Sequence, residues 1–399
     1  MNLHLAALWV CTIITATSST TTAFVQQPLP VSVSKKAAPT TTRQNQRQNQ
    51  QRIVGGKQGP STLPLSCLFA SKSTNFPFST RAALIEKAKE IDDNIEAKSG
   101  GSYSARGWSN RLGSVLTPVS IPGVYTADRP FYWNSIDVGC RMTIIELQDG
   151  KGSLWVHSPV ELDGPLKQAI KEKLKGEVKY VVSPNYEHVK YAKQWYDTYS
   201  SNGAYMWGCP GLIERMPEIN WAGEIPYNYV PGGSELNDDD KCWDVTNEII
   251  PYHVDIELNP FTGKPFFNEV IFYHKPSKSL LTTDLYWNYP SNDGQTNSFL
   301  KNDGDEDGNE ELVLDWELAP SVDKIPFGSK AWKFGMDQIY LPFYKNLMIQ
   351  KDDISKQKYE KLCHTLLEEW DIETIIPAHG DIIRGKELIR SILKNHLAL

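Results

Sequence analysis

Three apolar segments of the sequence each end on residues that can bind a metal ion or move a proton. The segment EVKYVVS is followed by PNYEH, which ends on Glu187 and His188, while SLLTTD ends on Asp284 and ETIIPAH ends on His379. Imidazole nitrogens and carboxylate oxygens bind divalent metals, and imidazole also titrates near neutral pH. The shared strand-end position raises a question about PNYEH. It is either an ordinary strand end or a degenerate form of the metal-binding pattern His-x-His-x-Asp-His.

The elements around PNYEH predict a strand that delivers this loop to the edge of a sheet. MTIIEL (142–147) and SLWVHS (153–158) bracket the turn QDGKG, which is typical of a β-hairpin. EVKYVVS (177–183) is a β-branched run between two helical segments, LKQAIKEKL (166–174) and HVKYAKQWYDTYS (188–200). A strand, loop and helix in this order place the loop side chains at the carboxyl end of the strand, where α/β proteins build sites.

The second half of the chain predicts a further set of strands and two helices. The predicted strands are YHVDIEL (252–258), FFNEVIFYH (266–274), SLLTTDL (279–285) and ETIIPAHG (373–380), and the helices lie near 355–369 and in GKELIRSILKNHLAL. Two strand-rich halves are consistent with a two-layered sandwich.

These segments together resemble the metallo-β-lactamase superfamily, and more closely its plant, algal and cyanobacterial group known as the domain of unknown function 4336. The resemblance runs from about Arg129 to Ile392. It is carried by RPFYWNSIDVGCRMTIIEL, LWVHSPVEL, VVSPNYEH, GCPGL, EVIFYHKPSKSLLTTDL and IIPAHGD. It implies an α/β fold, a metallo-β-lactamase-like αββα sandwich, with an N-terminal helical extension.

The resemblance also implies which residues occupy the metal-ligand positions of the superfamily. The His-x-His-x-Asp-His loop falls on Ser183, Asn185, Glu187 and His188, the metal-bridging acid falls on Asp284, and the last histidine ligand falls on His379. Serine and asparagine replace the first two histidines, and the histidine expected before the bridging strand has no match. Most of one metal site is therefore gone.

Glu187, His188, Asp284 and His379 remain, and they form a sufficient ligand set for one Zn²⁺, Mn²⁺ or Fe²⁺. A metal so held would lower the pKa of its bound water towards ~7 and supply hydroxide for attack on an ester or phosphoester. Asp284 would orient this water or take its proton, so Asp284 and His188 are the catalytic candidates. His157, at the end of the LWVH strand, is a weaker candidate near the same rim.

The same residues also have an explanation without a metal. Glu187 and His188 open a predicted helix, where a carboxylate is stabilised by the helix dipole. Asp284 and His379 can pair as a buried hydrogen-bonded couple that holds two sheets in register. The function therefore stays open between a metal-dependent hydrolase with a reduced single-metal site and a non-catalytic binding or assembly protein on the same fold. Iron-dependent redox chemistry is a third class that the ligand set does not decide.

The N-terminal residues read as targeting segments. Leu5 to Ile14 is an apolar run suited to a signal-peptide core, and residues 24–75 are basic, acid-free and rich in Ser, Thr, Gln and Pro. The Ala23-Phe24 junction resembles the cleavage motif of bipartite plastid presequences in diatoms and related algae. We expect a signal peptide over 1–23 and a disordered transit peptide over 24–75, and hence a plastid protein; plain secretion is the alternative.

The remaining organisation follows from composition. Residues 76–128 are expected to form an N-terminal extension with one amphipathic helix in AALIEKAKEIDDNIEAK, followed by the metallo-β-lactamase-like domain over 129–399. An acidic loop insertion is expected at 288–312. Its run NDGDEDGNEE resembles a calcium loop, but Leu314 occupies the twelfth position, where a glutamate is needed.

Charge and hydropathy narrow the range of partners. The formal net charge is −7, and the first 85 residues carry eight Lys and Arg and no acid, so the rest of the chain is more acidic still. An acidic body repels phosphate backbones, so we expect no nucleic-acid partner. No later apolar run reaches the length of a membrane span, and a small-molecule substrate or a plastid protein is the expected partner.

Overall fold

The computed structural model describes residues 115–119, 121–133, 136–174, 176–227, 243, 245, 247–289, 327–349 and 351–398. All of them belong to one compact unit, Phe76–Leu399. The predicted signal and transit peptides, the predicted amphipathic helix and the acidic insertion from 290 onward lie outside the described residues.

Strands make up most of the regular structure. They are β1 (Thr117–Pro118), β2 (Val124–Arg129), β3 (Tyr132–Trp133), β4 (Ile136–Asp137), β5 (Cys140–Glu146), β6 (Ser153–His157), β7 (Glu177–Ser183), β8 (Tyr205–Gly208), β9 (Gly223–Glu224), β10 (Ile249–Val254), β11 (Glu269–His274), β12 (Ser279–Thr282), β13 (Thr374–Pro377) and β14 (Ile383–Arg384).

Helices fill the connections between strands. They are α1 (Gly164–Ala169), α2 (Ala192–Tyr199), α3 (Leu212–Arg215), α4 (Phe327–Gly335), α5 (Leu341–Phe343), α6 (Asp353–His364) and α7 (Lys386–Leu397), with π-helical turns at Ile170–Leu174, Met336–Tyr340, Tyr344–Met348 and Thr365–Glu369 and a 3-10 turn at Ser200–Asn202. Asp163 and Asp352 cap the N-termini of α1 and α6, because each carboxylate accepts hydrogen bonds from backbone N–H groups of the first turn.

The strands form two larger sheets and one short hairpin. The first sheet has the order β1-β2-β5-β6-β7-β8-β9, antiparallel from β1 to β6 and parallel from β6 to β9. The second has the order β10-β11-β12-β13-β14, with β12 and β13 parallel. Since parallel neighbours end at the same edge, the loops after β12 and β13 are brought side by side.

Alternating side chains place one face of the first sheet against helices and the other against the second sheet. Ile144 and Val156 pack with Trp195 of α2, whereas Ile145 packs with Phe272 and Ile376 of the second sheet. Helix α7 in turn contacts β13 and β14. The order of layers is therefore helix, sheet, sheet, helix, and the predicted αββα sandwich is confirmed.

Several local predictions are confirmed as well. The β5–β6 hairpin, strand β7 and the closing helix α7 lie where the pattern predicts them. The first sheet, however, begins at Thr117, ahead of the predicted domain boundary at 129, because β2 of the expected extension pairs with β5 along six residues. Among the described residues, no helix is long and apolar enough to cross a membrane.

Candidate metal centre

His188 reaches the edge of the first sheet through a loop that Asn185 organises. Strand β7 ends at Ser183, and Pro184 follows, which lacks the N–H needed to extend the ladder. The buried Asn185 side chain accepts hydrogen bonds from the backbone N–H of Glu187 (3.0 Å) and of His188 (2.8 Å) through Oδ1. This local turn replaces strand pairing and aims His188 at the second sheet.

Asp284 lies just beyond the end of β12, on a loop that a buried glutamate holds. The Glu269 carboxylate accepts from the backbone N–H of Thr283 (2.5 Å), Asp284 (2.8 Å) and Leu285 (2.6 Å). Asn185 Nδ2 then donates to Asp284 Oδ2 at 2.6 Å. One asparagine thus ties the histidine loop of the first sheet to the aspartate loop of the second.

His379 follows β13, the parallel neighbour of β12, and its loop packs against the loop after β12. Gly380 has φ +90°, and a Cβ at this position would lie 2.0 Å from the Asn288 carbonyl oxygen. Only glycine permits this approach. Buried Arg141 of β5 adds a tie from the first sheet, because its guanidinium donates to the Pro377 (3.0 Å) and Gly380 (2.7 Å) carbonyls.

These loops bring three ligand atoms together. His188 Nε2 lies 3.1 Å from His379 Nε2 and 3.4 Å from Asp284 Oδ2, and His379 Nε2 lies 3.6 Å from Asp284 Oδ1. Ligands about 2.0–2.1 Å from a tetrahedral Zn²⁺ are separated from one another by about 3.3 Å. The three observed separations, which involve both oxygens of Asp284, lie within about 0.3 Å of this value, so the residues fit a single metal ion bound through two imidazoles and one carboxylate.

The far side of each imidazole is held by the first sheet. His379 Nδ1 lies 2.8 Å from the Gly139 carbonyl, which can only accept, so Nδ1 carries the hydrogen and the lone pair of the neutral ring is on Nε2. His188 Nδ1 lies 2.7 Å from Ser158 Oγ. Outer partners of this kind orient metal-binding histidines and fix their tautomers.

Two imidazole nitrogens this close to each other and to a carboxylate call for a shared cation. Burial raises the pKa of Asp284, but the two histidines outweigh burial, so the net pKa is well below the usual range and the carboxylate is ionised. Burial lowers the pKa of His188, whereas at His379 the hydrogen bond and charge of Asp284 outweigh burial and raise the pKa. Either a proton or a metal ion can satisfy this arrangement.

The predicted set of four ligands is only partly brought together. His188, Asp284 and His379 form the group, and within the described part of the chain no other group of three or more His, Cys, Asp or Glu side chains has this geometry. Glu187 is exposed at the rim and lies outside the group. Loss of hydration and the Asp284 charge raise the pKa of Glu187 to about 7, and the Arg215 charge opposes this rise.

The weaker candidate His157 faces the interior between the two sheets. Its ring stacks on Trp155 at 5.7 Å and meets Phe272 edge-on at 5.5 Å, and burial lowers its pKa to about 3. Cys140 lies behind His188, with Sγ 3.9 Å from Nδ1, and burial raises the pKa of its thiol to about 12. Neither side chain is on the Nε2 side, where the three ligand atoms meet.

Residues 123–302 match the family model described as Domain of unknown function (DUF4336). The match spans 180 of the 399 residues, so this part of the chain is similar to that family. The family resemblance inferred from the sequence is thereby confirmed for this segment, which includes His188 and Asp284. His379 lies beyond the DUF4336 match, and the structure brings it to the other two.

The chain is also similar to several solved structures. A metallo-beta-lactamase from Pontibacter korlensis is 10% identical, with a TM-score of 0.38 over 71% of this chain and 99% of that one. The metallo-beta-lactamase from Hirschia baltica is 10% identical, with a TM-score of 0.37 over 70% and 96%. Rubredoxin oxygen:oxidoreductase from Desulfovibrio gigas is 15% identical, with a TM-score of 0.42 over 71% and 60%. Among curated proteins, none matches the sequence.

Proposed function

We propose that this DUF4336 protein is a metal-dependent hydrolase of an ester or phosphoester with a single-metal site. The observation that carries the proposal is the group of three ligand atoms of His188, Asp284 and His379, all within 4.8 Å of one another. A bound Zn²⁺, Mn²⁺ or Fe²⁺ would supply a water of lowered pKa and polarise the substrate oxygen. The other roles in the reaction would be filled by side chains of the protein.

Each side chain has a defined part in this proposal. His379 presents an Nε2 lone pair, because its Nδ1 donates to the Gly139 carbonyl, and His188 presents one when its Nδ1 donates to the Ser158 hydroxyl. Asp284 supplies a carboxylate oxygen and, through the other one, orients the attacking water or receives its proton. Asn185 holds Asp284 in place at 2.6 Å and leaves that carboxylate little freedom to turn.

Hydrolysis by the full-length chain tests the proposal directly. The protein is loaded with Zn²⁺, Mn²⁺ or Fe²⁺ and assayed with p-nitrophenyl acetate, p-nitrophenyl phosphate and bis(p-nitrophenyl) phosphate. We expect turnover of at least one of them, lost in His188→Ala and Asp284→Asn and retained in His364→Ala, which changes an exposed histidine of α6. Turnover that survives both site substitutions would refute the assignment.

A non-catalytic binding or assembly protein is the second candidate, and the low exposure of the group favours it. The side chains of His188, His379 and Asp284 are 6%, 12% and 16% exposed, and they connect the first sheet to the second. Such a group can serve as a cross-link between sheets. In that case removing the metal lowers the melting temperature, yet no ester is hydrolysed by the metal-loaded protein.

We further propose that the protein acts in a plastid surrounded by more than two membranes. The support is the apolar run of residues 5–14, the Ala23-Phe24 junction and the acid-free segment that follows. Residues 1–75 fused to a fluorescent protein should enter the plastid of a diatom. Phe24→Ala should block entry, whereas Phe69→Ala, a matched change in the same segment, should not. Secretion of the unaltered fusion would overturn the proposal.

A further inference from the structure

Two exposed cationic side chains flank the His188 loop, and each is held over an aromatic ring. The Arg215 guanidinium lies 3.4 Å from the centroid of the Tyr186 ring. The Lys190 ammonium lies 5.3 Å from the Phe131 ring and 5.1 Å from the Tyr191 ring. Tyr186 and Lys190 stand two residues before and two residues after His188.

The Tyr186 ring is a fixed platform for Arg215. Its hydroxyl donates to the Pro210 carbonyl at 3.0 Å, and a Cβ at Gly211 would lie 2.7 Å from the same hydroxyl. Gly211 has φ +76° and precedes α3, which carries Arg215 at its end. A guanidinium stacked by its face on a ring keeps the N–H donors of its edge free for a second partner.

Among the described residues, neither cation forms an ion pair with a neighbouring acid, although the Arg215 charge acts on the Glu187 carboxyl from a distance. In the part of the chain that the structure describes, Arg215 and Lys190 form no ion pair and no side-chain hydrogen bond, whereas the nearby Lys193 pairs with Asp197. The chain as a whole is acidic, with a formal net charge of −7. Two cations without ion-pair partners in the described structure, on either side of the His188 loop, are therefore a local positive feature on a chain of net negative charge.

The Tyr186 platform and the metal group are neighbours along the chain. Tyr186 is two residues from His188, so their Cα atoms are at most about 7 Å apart. The Asn185 turn, which accepts from the N–H of Glu187 and His188, draws this loop in further.

We propose that Arg215 and Lys190 bind an anionic group, a phosphate or a carboxylate, on the molecule that occupies the site. As a statement about substrate, this inference rests on the proposed hydrolase function and narrows it to anionic esters. Charge-assisted hydrogen bonds from a guanidinium and an ammonium are the strong contacts that such groups make in proteins. Arg215 and Lys190 are therefore specificity-determining residues, separate from the group that would hold the metal.

Binding of inorganic phosphate to the full-length chain tests the proposal without any need for turnover. Calorimetric titration is performed on chelator-treated and on Zn²⁺-loaded protein at low salt, with malonate as the carboxylate probe. We expect Arg215→Gln and Lys190→Gln each to weaken binding of the preferred probe about tenfold. Lys193→Gln is the matched control, because Lys193 also lies over a ring, that of Tyr196, but is paired with Asp197.

The outcomes separate this proposal from the hydrolase itself. Tighter binding of phosphate assigns a phosphate-bearing ligand, and tighter binding of malonate assigns a carboxylate. Failure of the unaltered protein to bind either probe would overturn the proposal, as would equal binding by all three variants. If the chain binds no metal but binds phosphate through Arg215, the result would support the anion site and contradict the metal-dependent hydrolase function.

Discussion

The Nε2 atoms of His188 and His379 lie 3.1 Å apart, although the two residues come from different sheets and are separated by 191 positions in the chain. The outer nitrogen of His188 is hydrogen-bonded to Ser158 and that of His379 donates to the Gly139 carbonyl, so both rings direct Nε2 at Asp284. A shared proton or a metal ion satisfies such a group. The geometry fits a metal centre at the place where the edges of the two sheets meet.

Asn185→Ala should weaken metal binding about 10–100-fold, because the side chain fixes both His188 and Asp284 from behind. It should also lower the free energy of unfolding by about 1–3 kcal/mol, since buried hydrogen-bonding groups lose their partner. Metal affinity is measured by competition with a chromogenic chelator and unfolding by urea titration. Asn185→Asp keeps the Oδ1 acceptor but places a second buried carboxylate beside the ionised Asp284, so it should be at least as destabilising as alanine in the metal-free protein. Unaltered metal affinity in the alanine variant would show that Asn185 has no part in the site.

Gly380→Ala should destabilise the fold by at least about 3 kcal/mol, because an added Cβ at φ +90° would meet the Asn288 backbone at 2.0 Å. Gly203→Ala is the matched control: Gly203 has φ +89° but no atom within 4 Å of its would-be Cβ. Gly203→Ala should lower the free energy of unfolding by only about 1 kcal/mol, because alanine is strained there by the left-handed backbone alone. Equal losses of stability in the two variants, measured by urea titration, would mean that the close approach of the two loops is absent in solution.

Acid should destabilise the protein through His396. Burial lowers the pKa of this imidazole from 6.5 to about 4, against the hydrogen bond to the Leu285 carbonyl at 2.8 Å. The folded state therefore binds this proton less readily than the unfolded state does. The contribution of His396 is complete above pH 6.5 and is lost as the pH falls from 6.5 to 4, up to about 3 kcal/mol.

Urea unfolding between pH 7 and pH 4 checks this pH dependence. His396→Gln should flatten the acid loss, because glutamine can still donate to Leu285 but takes up no proton. His364→Gln, a change at an exposed histidine of α6, should leave the pH profile as it is in the unaltered protein. Parallel profiles for the unaltered protein and His396→Gln would contradict the assignment to His396.

Much of the fold was predictable because the local pattern of apolar and turn residues in the sequence indicates where strands lie. EVKYVVS and SLLT are short apolar runs bounded by turn residues, and both form strands with those bounds or nearly so. Strands β2 and β8 were not predicted. VYTADR mixes polar and apolar residues on a strand whose two faces are both largely covered, and YMWG is too short to show a period.

The candidate site, like the fold, was only partly predictable from the sequence. Strand-end position drew attention to His188, Asp284 and His379, and the structure brings these three together. Strand-end position could not reveal the residues that hold the site in place. Asn185 contacts Asp284 across 99 residues of sequence, and Arg141 contacts Gly380 across 239. In the sequence Asn185 looks like a lost ligand; in the structure it is a hydrogen-bonding bridge. Nothing in local pattern distinguishes these two roles.

Metal content of the full-length chain, purified without chelator and measured by mass spectrometry, tests the central claim most directly. We predict about one Zn²⁺, Mn²⁺ or Fe²⁺ per chain, reduced to background in His188→Ala and His379→Ala, with far-ultraviolet circular dichroism unchanged and His364→Ala fully loaded. An unaltered protein that remains free of metal after reconstitution with all three ions would contradict the account and leave the group as a hydrogen-bonded tie between the two sheets.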